Sequence, residues 1–226
     1  MLVNGFLAAI TTDYYMKAVG IKIAQISIQQ NKADNYVEIR AKSVRESSIF
    51  PQINNVYRVK HNGSYQPLTY TRIIHQKNVQ DEVTTTYNHN TAQAVMYRNS
   101  DKSTLQYSIT KNSQDIYSFL AKVISGQVDT GTYPIDANGV SWQANITRYS
   151  TEIVDTPLGK YPAVRYEISF QNMTNKKMPY IDMVTFNMLQ ENNKLNLWVY
   201  NRQFAVKATF KKKGISSTWE LFNMKK

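Results

Sequence analysis

Residues 164–170 read Val-Arg-Tyr-Glu-Ile-Ser-Phe, and this stretch decides the fold class. Its apolar side chains, Val164, Tyr166, Ile168 and Phe170, occupy every second position. Because successive side chains of a β-strand point to opposite faces, a period of two predicts a strand with one buried face and one solvated face. Strands of this kind are typical of antiparallel sheets.

The same alternation recurs along the chain, for example in residues 37–42, 140–147 and 204–210. Turn sequences such as Asn62-Gly63 and Asn138-Gly139 separate the alternating stretches, because Asn and Gly tolerate a positive φ. The predicted strands lie near residues 12–19, 21–30, 35–45, 55–61, 67–77, 79–89, 91–98, 103–110, 140–154, 161–171, 178–190, 194–200, 203–212 and 215–222. The fold class expected is therefore mainly β, an antiparallel sheet.

One segment, residues 113–125, breaks the alternation. Its apolar residues follow the helical spacing i, i+3, i+4, i+7, i+8: Ile116, Phe119, Leu120, Val123 and Ile124. Asn112 or Ser113 can cap the start, Asp115 suits the first turn, and Gly126 can end the helix. We expect this helix to lay its apolar stripe on the concave face of a curved sheet.

The segment that follows, residues 126–139, contains three glycines and a proline and is interpreted as a loop. We expect a single domain over residues 1–226, with a sheet in two parts joined near this loop. The length of 226 residues suits one large β domain.

The chain is basic, with a formal net charge of +11 and a pI near 9.6. Such a charge attracts nucleic acids, anionic membranes or acidic glycans. Its lysines and arginines are scattered, however, and their one run is Lys211-Lys212-Lys213. On the strand around Tyr57 the aromatic and cationic side chains alternate between faces, whereas a single-strand binder presents them on the same face. Nucleic acid is therefore not the expected partner.

No pattern predicts catalysis. His61, His75 and His89 lack metal-ligand spacing, and the chain has no cysteine. Asp81 and Glu82 are neighbours, so in a strand they point to opposite faces and cannot share a proton. We expect a protein without cofactor, metal or catalytic residues. A glycan-active enzyme built from carboxylates distant in sequence stays open as an alternative.

Membrane and export signals are also weak. No run of about 18 apolar residues occurs, so no transmembrane helix is expected. Residues 1–10 lack a basic start and an adequate apolar core, so they are not read as an intact secretory signal.

Several local sequences, in their order and spacing, resemble a bacterial cell-envelope family of unknown function, numbered 3108 in domain catalogues. They are Tyr14–Ala24, Gln114–Leu120, Val154–Tyr161, Leu197-Trp198-Val199, Phe204–Lys207 and Gly214. The resemblance spans about residues 12–222 and implies an exported, periplasmic or envelope protein. It also implies a fold similar to the lipoprotein carriers: a strongly curved, unclosed barrel with a helix on the concave side. It implies no catalytic residue.

Our first hypothesis is a binding protein for an apolar or amphiphilic, lipid-like ligand, with peripheral membrane contact through its basic surface. The predicted lid is formed by Phe119, Leu120, Val123 and Ile124. The predicted concave face is formed by Trp142, Ile146, Tyr166, Ile168, Phe170, Phe186, Leu197, Val199, Val206 and Ala208. A closed core without a cavity is the alternative for this face. The second hypothesis is an interaction module that binds an envelope protein or polysaccharide.

Overall fold

A computed structural model describes residues 9–44, 52–191, 193–212 and 215–225. The predictions made for residues 1–8, Arg45, Lys213 and Gly214 lie outside the described residues. The described chain is dominated by one antiparallel sheet of fourteen strands. The mainly β prediction is therefore confirmed.

The first eight strands are β1 Ile10–Ala18, β2 Ile21–Asn31, β3 Tyr36–Ser43, β4 Asn54–His61, β5 Pro67–Gln76, β6 Val79–Asn88, β7 Gln93–Arg98 and β8 Thr104–Ser108. Helix α1, Ile116–Ile124, follows them. The second half contains β9 Gly131–Asp136, β10 Ser141–Thr156, β11 Gly159–Asn172, helix α2 Met183–Met188, β12 Lys194–Tyr200, β13 Phe204–Lys212 and β14 Ile215–Lys225.

The sheet is two meanders joined through the first and last strands. Its order is β8-β7-β6-β5-β4-β3-β2-β1-β14-β13-β12-β11-β10-β9, with β1 pairing antiparallel to both β2 and β14. Strands β8 and β9 are the two edges and do not pair as a ladder, so the barrel is unclosed, as predicted. Most strands bury alternate residues, as β5 and β12 show, because one face packs inside.

Helix α1 packs on the inside of this sheet. Phe119 and Val123 are fully buried there. The helix begins after Asp115, whose carboxylate accepts from the backbone nitrogens of Tyr117 and Ser118, so Asp115 is the cap rather than a first-turn residue. It ends as predicted at Gly126, whose φ of +70° is accessible to glycine at little cost.

Two predicted elements were wrong. The predicted strand at 178–190 is instead an extended stretch followed by helix α2, so two helices, not one, accompany the sheet. The predicted loop at 126–139 contains edge strand β9, which pairs with β10 from Ile146↔Gly131 to Ser141↔Asp136. No helix in the described part of the chain is long and apolar enough to cross a membrane.

Candidate functional site

The inside of the sheet contains a cavity of about 380 Å³, which we call the inner cavity. It lies over the centre of the sheet, where β2, β1, β14 and β13 run side by side. Its lining residues are Met16, Ala18, Ile23, Ala24, Ile26, Ala41, Ser43, Ile53, Leu120, Met183, Val184, Asn187, Met188, Leu195, Leu197, Ala208, Phe210, Ser217 and Trp219. A second space of about 50 Å³ shares several of these residues and reaches Tyr117 and Ile124 of α1.

Small side chains on the sheet create this room. Ala18, Ala24, Ala41 and Ala208 all line the inner cavity and are buried. Ala24 pairs with Met16, Met16 with Trp219 and Trp219 with Ala208, so Ala24 and Ala208 lie in one row across the sheet. Alanine reaches less far from the sheet than Ile or Leu, so helices resting on the larger neighbours leave the space above it open.

Helix α2 forms most of the cover of the inner cavity. Met183, Val184, Asn187 and Met188 line it, whereas α1 contributes Leu120. A helix of six residues is not stable alone, so contacts with the sheet must hold it.

Three hydrogen bonds fix the start of α2. The Asp182 carboxylate accepts from the Thr185 nitrogen at 2.8 Å and, on the same oxygen, from the Tyr57 hydroxyl at 2.8 Å. The Met183 nitrogen donates to the Gln76 side-chain oxygen at 3.1 Å. The cover is thus tied to β4 and β5 by polar side chains.

The cavity lining includes two buried hydrogen-bonding groups on β14. The Ser217 hydroxyl and the Trp219 indole nitrogen are buried, and neither has a hydrogen-bond partner among the described residues. Both lie on β14, two positions apart, and therefore on the same face. Because buried polar groups are nearly always paired in proteins, two unpaired donors beside one cavity suit a ligand that has a polar atom as well as an apolar body.

The predicted lid residues divide between two environments. Leu120 lines both spaces, and Ile124 lines the smaller one. Phe119 and Val123 are fully buried and line neither space. The prediction that these four residues bind a ligand stays a prediction.

The predicted concave-face residues lie mostly in packed core. Leu197 and Ala208 line the inner cavity. The others on the sheet are buried in the main hydrophobic cluster without lining either space: Trp142, Ile146, Tyr166, Ile168, Phe170, Val199 and Val206. Phe186 was placed wrongly, because it lies on α2 and packs its ring against Tyr180 at 5.1 Å.

A second set of buried polar residues, the Arg72 cluster, was missed by sequence reasoning. It comprises Tyr57, Tyr70, Arg72, Tyr87, Tyr107, Asp115, Tyr117, Asp136, Asn138 and Asp182. Arg72 is fully buried and donates to the Asn138 side-chain oxygen at 2.5 Å, with its guanidinium 4.7 Å from the centre of the Tyr70 ring.

The carboxylates of the Arg72 cluster each accept structural hydrogen bonds, although one oxygen of Asp115 and one of Asp182 have no partner among the described residues. Asp115 and Asp182 cap the two helices, while Asp136 accepts from the hydroxyls of Tyr87 and Tyr107, each at 3.0 Å. Burial raises the pKa of Asp115 and of Asp136, although their hydrogen bonds act in the opposite direction. In the sequence, the Asp-x-x-Ser spacing at Asp115 and the Asp-x-x-Thr spacing at Asp182 could have revealed these two helix caps, since aspartate is a preferred N-cap residue.

Comparisons with solved structures support the fold. A β-barrel-like protein of the domain family DUF1849 from Brucella abortus superposes with a TM-score of 0.65, at 10% identity, over 97% of this chain and 98% of that one. A candidate lipoprotein from Parabacteroides distasonis gives a TM-score of 0.37 at 12% identity, with 97% and 96% covered. A candidate exported protein with a YmcC-like fold from Bacteroides fragilis gives 0.31 at 11% identity, with 96% and 94% covered. The last two similarities are too low to support an argument about this chain.

The sequence itself places the chain in a family. No curated protein matches it significantly. The sequence profile described as "Protein of unknown function (DUF3108)" matches residues 11–211, nearly the whole chain. The order and spacing of the sequence motifs agree with this match. The protein therefore belongs to the DUF3108 family of proteins of unknown function.

Proposed function

We propose that this protein is a non-catalytic binding protein of the bacterial cell envelope that holds an amphiphilic ligand with an acyl chain in the inner cavity. The observation that carries the proposal is the cavity itself, about 380 Å³ in volume and lined mainly by apolar side chains. Ligand pockets in proteins span about 300–1,000 Å³, and an engineered apolar cavity of about 150 Å³ already holds benzene.

The lining favours an amphiphile over a plain hydrocarbon. Apolar walls bind an acyl chain through the hydrophobic effect, which is worth roughly 0.8 kcal/mol for each buried methylene. The Ser217 hydroxyl and the Trp219 indole nitrogen can both donate to a carbonyl, carboxylate or ester oxygen. A ligand that satisfies both donors removes their desolvation cost, which an alkane cannot do.

The proposal is tested by filling the cavity. In A208F a phenyl ring replaces a buried methyl group that lines both spaces. We expect the parent protein, exposed to a panel of fatty acids and phospholipids, to retain a lipid-sized adduct in native mass spectrometry. A208F should retain at least tenfold less lipid, since its phenyl ring takes the volume that the acyl chain would occupy.

A33F is the matched control, because Ala33 is exposed in the turn between β2 and β3, at the end of the sheet away from Ala18 and Ser217. It should bind like the parent. Circular dichroism and thermal unfolding of both variants verify that each remains folded. A parent protein without adduct across the panel, or equal adducts in A208F and A33F, would refute the proposal.

A second candidate function rests on one exposed surface. Val95 and Tyr97 of β7 are 39% and 40% exposed and, two positions apart, share the outer face beside edge strand β8. An apolar outer face beside a sheet edge suits docking of an envelope protein. If V95T/Y97T loses a partner that A208F retains in cross-linking from intact cells, the interaction role is favoured over ligand binding.

A further inference from the structure

The β1–β2 turn presents an apolar side chain at an energetic cost. Val19 and Gly20 are the two central residues of this hairpin, with φ of +49° and +76°. Two positive φ angles define a type I′ turn, for which Asn-Gly is the preferred sequence. A β-branched valine is poorly suited to the first position, since its Cβ methyl groups crowd the left-handed backbone. Asparagine would relieve this strain, so valine must be explained by what its side chain does.

The Val19 side chain is 84% exposed, and two further exposed apolar residues lie at the same end of the sheet. Ile21 follows the turn and is 54% exposed, while Val44 is 41% exposed. Val44 adjoins β2 through a bond of 3.1 Å from its nitrogen to the Ile23 carbonyl. We call Val19, Ile21 and Val44 the apolar tip.

The apolar tip lies at one end of the inner cavity. Ala18, which precedes Val19, lines the cavity and pairs with Ser217 of β14. Ile23, two positions after Ile21, and Ser43, immediately before Val44, line it as well. A surface that contacts the tip therefore faces the end of the cavity where the unpaired Ser217 hydroxyl lies.

Lysines surround the apolar tip on the outer face of the same strands. Lys17, Lys22, Lys42 and Lys211 alternate with residues that line the cavity, so their side chains point outward. The Lys22 ammonium lies 3.8 Å from the centre of the Tyr15 ring, and Lys17 pairs with Glu220 at 2.5 Å. Lys42 and Lys211 are exposed.

From this arrangement we infer that the apolar tip docks the protein onto an anionic lipid bilayer, with Lys22, Lys42 and Lys211 on the phosphate groups and the cavity end facing the lipids. The inference rests on the proposed function, because it supplies the route by which an amphiphile reaches the inner cavity. Apolar side chains that enter the interface and cations that contact anionic head groups are the two elements of peripheral membrane binding.

The decisive variant is V19N. It removes the most exposed residue of the tip and gives the turn its preferred sequence, so we expect thermal stability equal to or above that of the parent. Co-sedimentation with phosphatidylcholine–phosphatidylglycerol vesicles should show roughly tenfold weaker binding, the effect of withdrawing one valine from an apolar environment. The matched control is L158N, since Leu158 is an apolar residue 42% exposed in the β10–β11 turn at the other end of the sheet.

The lysines make a separate prediction. Binding of the parent should fall as salt rises from about 0.1 M to about 1 M, because the Debye length shrinks from about 10 Å to about 3 Å. K22Q/K42Q/K211Q should bind anionic vesicles more weakly, whereas K160Q, which neutralises an exposed lysine near Leu158, should not. If the parent bound pure phosphatidylcholine vesicles as strongly as anionic vesicles, the inference would be overturned. It would also be overturned if L158N lost vesicle binding and V19N did not.

A further measurement separates this inference from the proposed function. Uptake of a monomeric fatty acid from solution, without vesicles, should be normal in V19N and lost in A208F. If the parent takes up fatty acid but ignores anionic vesicles, docking is refuted and ligand binding stands. If the parent binds vesicles through Val19 but takes up no lipid in either assay, the proposed function fails and the docking surface alone remains.

Discussion

His61 illustrates how the burial of a single residue makes stability depend on pH. Its ring stacks on Tyr65 with centroids 4.5 Å apart, and its Nδ1 lies 2.7 Å from the Asn62 carbonyl oxygen. Burial lowers the pKa of His61 below its usual value of 6.5, against the opposing effect of that hydrogen bond. As the pH falls, His61 is therefore protonated at a higher pH in the unfolded chain than in the folded protein.

The stability that neutral His61 contributes is fully present above pH 6.5 and is lost as the pH falls through the folded-state pKa. We expect the free energy of unfolding of the parent to decrease relative to that of H61Q between about pH 7.5 and about pH 5. Urea unfolding of both proteins at each pH measures the difference. Parallel stability curves would contradict the predicted role of His61.

Alternation in the sequence predicted which large residues point inward, but not where they leave a space. Tyr166, Ile168 and Phe170 are buried on one face, as their spacing indicates. The inner cavity depends instead on alanines such as Ala18 and Ala208. Alanine occurs in strands, helices and packed cores alike, so a single sequence gives no sign that several alanines of different strands will meet.

At the scale of elements, the two errors have physical causes. Helix α2 has six residues, less than two turns, so no helical period is visible, and Val184 and Thr185 favour strands locally. Strand β9 contains Pro134, which suggested a loop. Proline is tolerated at the edge of a sheet, and β9 is an edge strand, a fact that depends on the topology.

Because α2 is short, its N-cap should control the cover of the inner cavity. D182A removes the acceptor for the Thr185 nitrogen and the Tyr57 hydroxyl, and we expect a loss of about 2 kcal/mol in unfolding free energy. Amide hydrogen exchange should quicken at residues 183–189. D182N, which keeps a side-chain oxygen, should lose less, and D34A, at an exposed turn, should stay within about 0.5 kcal/mol of the parent. Unchanged exchange in D182A would show that packing alone holds α2.

For the whole molecule, the main question is how an unclosed sheet keeps its two edges together. No strand ladder joins β8 to β9. Residues 107–114 instead contact residues 134–141: the Thr110 and Ser141 hydroxyls lie 2.9 Å apart, and Gln114 exchanges backbone bonds with Pro134 and Asp136. The sequence could not predict this contact, because it joins the two ends of the strand order through a few isolated backbone and side-chain hydrogen bonds rather than through a repeated pattern.

Tyr107 provides the most direct test of this closure. Its hydroxyl donates to the Asp136 carboxylate at 3.0 Å, and burial raises its pKa, so it remains a donor at neutral pH. Its ring crosses the seam over Gly139, where a Cβ would lie 3.2 Å from the Tyr107 Cγ. A side chain at Gly139, where φ is also +86°, would therefore strain the backbone and force the Tyr107 ring to shift.

We expect Y107F to lose about 2 kcal/mol of unfolding free energy, the value of a hydrogen bond to a charged group, while its ring still covers Gly139. The loss should be accompanied by faster amide exchange in β8 and β9 but not in β1 or β14, which are paired on both sides. Y97F, at an exposed tyrosine of the neighbouring strand, is the control and should behave like the parent. Faster exchange spread evenly over all strands in Y107F would mean that the sheet opens as one cooperative unit, and that the seam between β8 and β9 is not its weakest point.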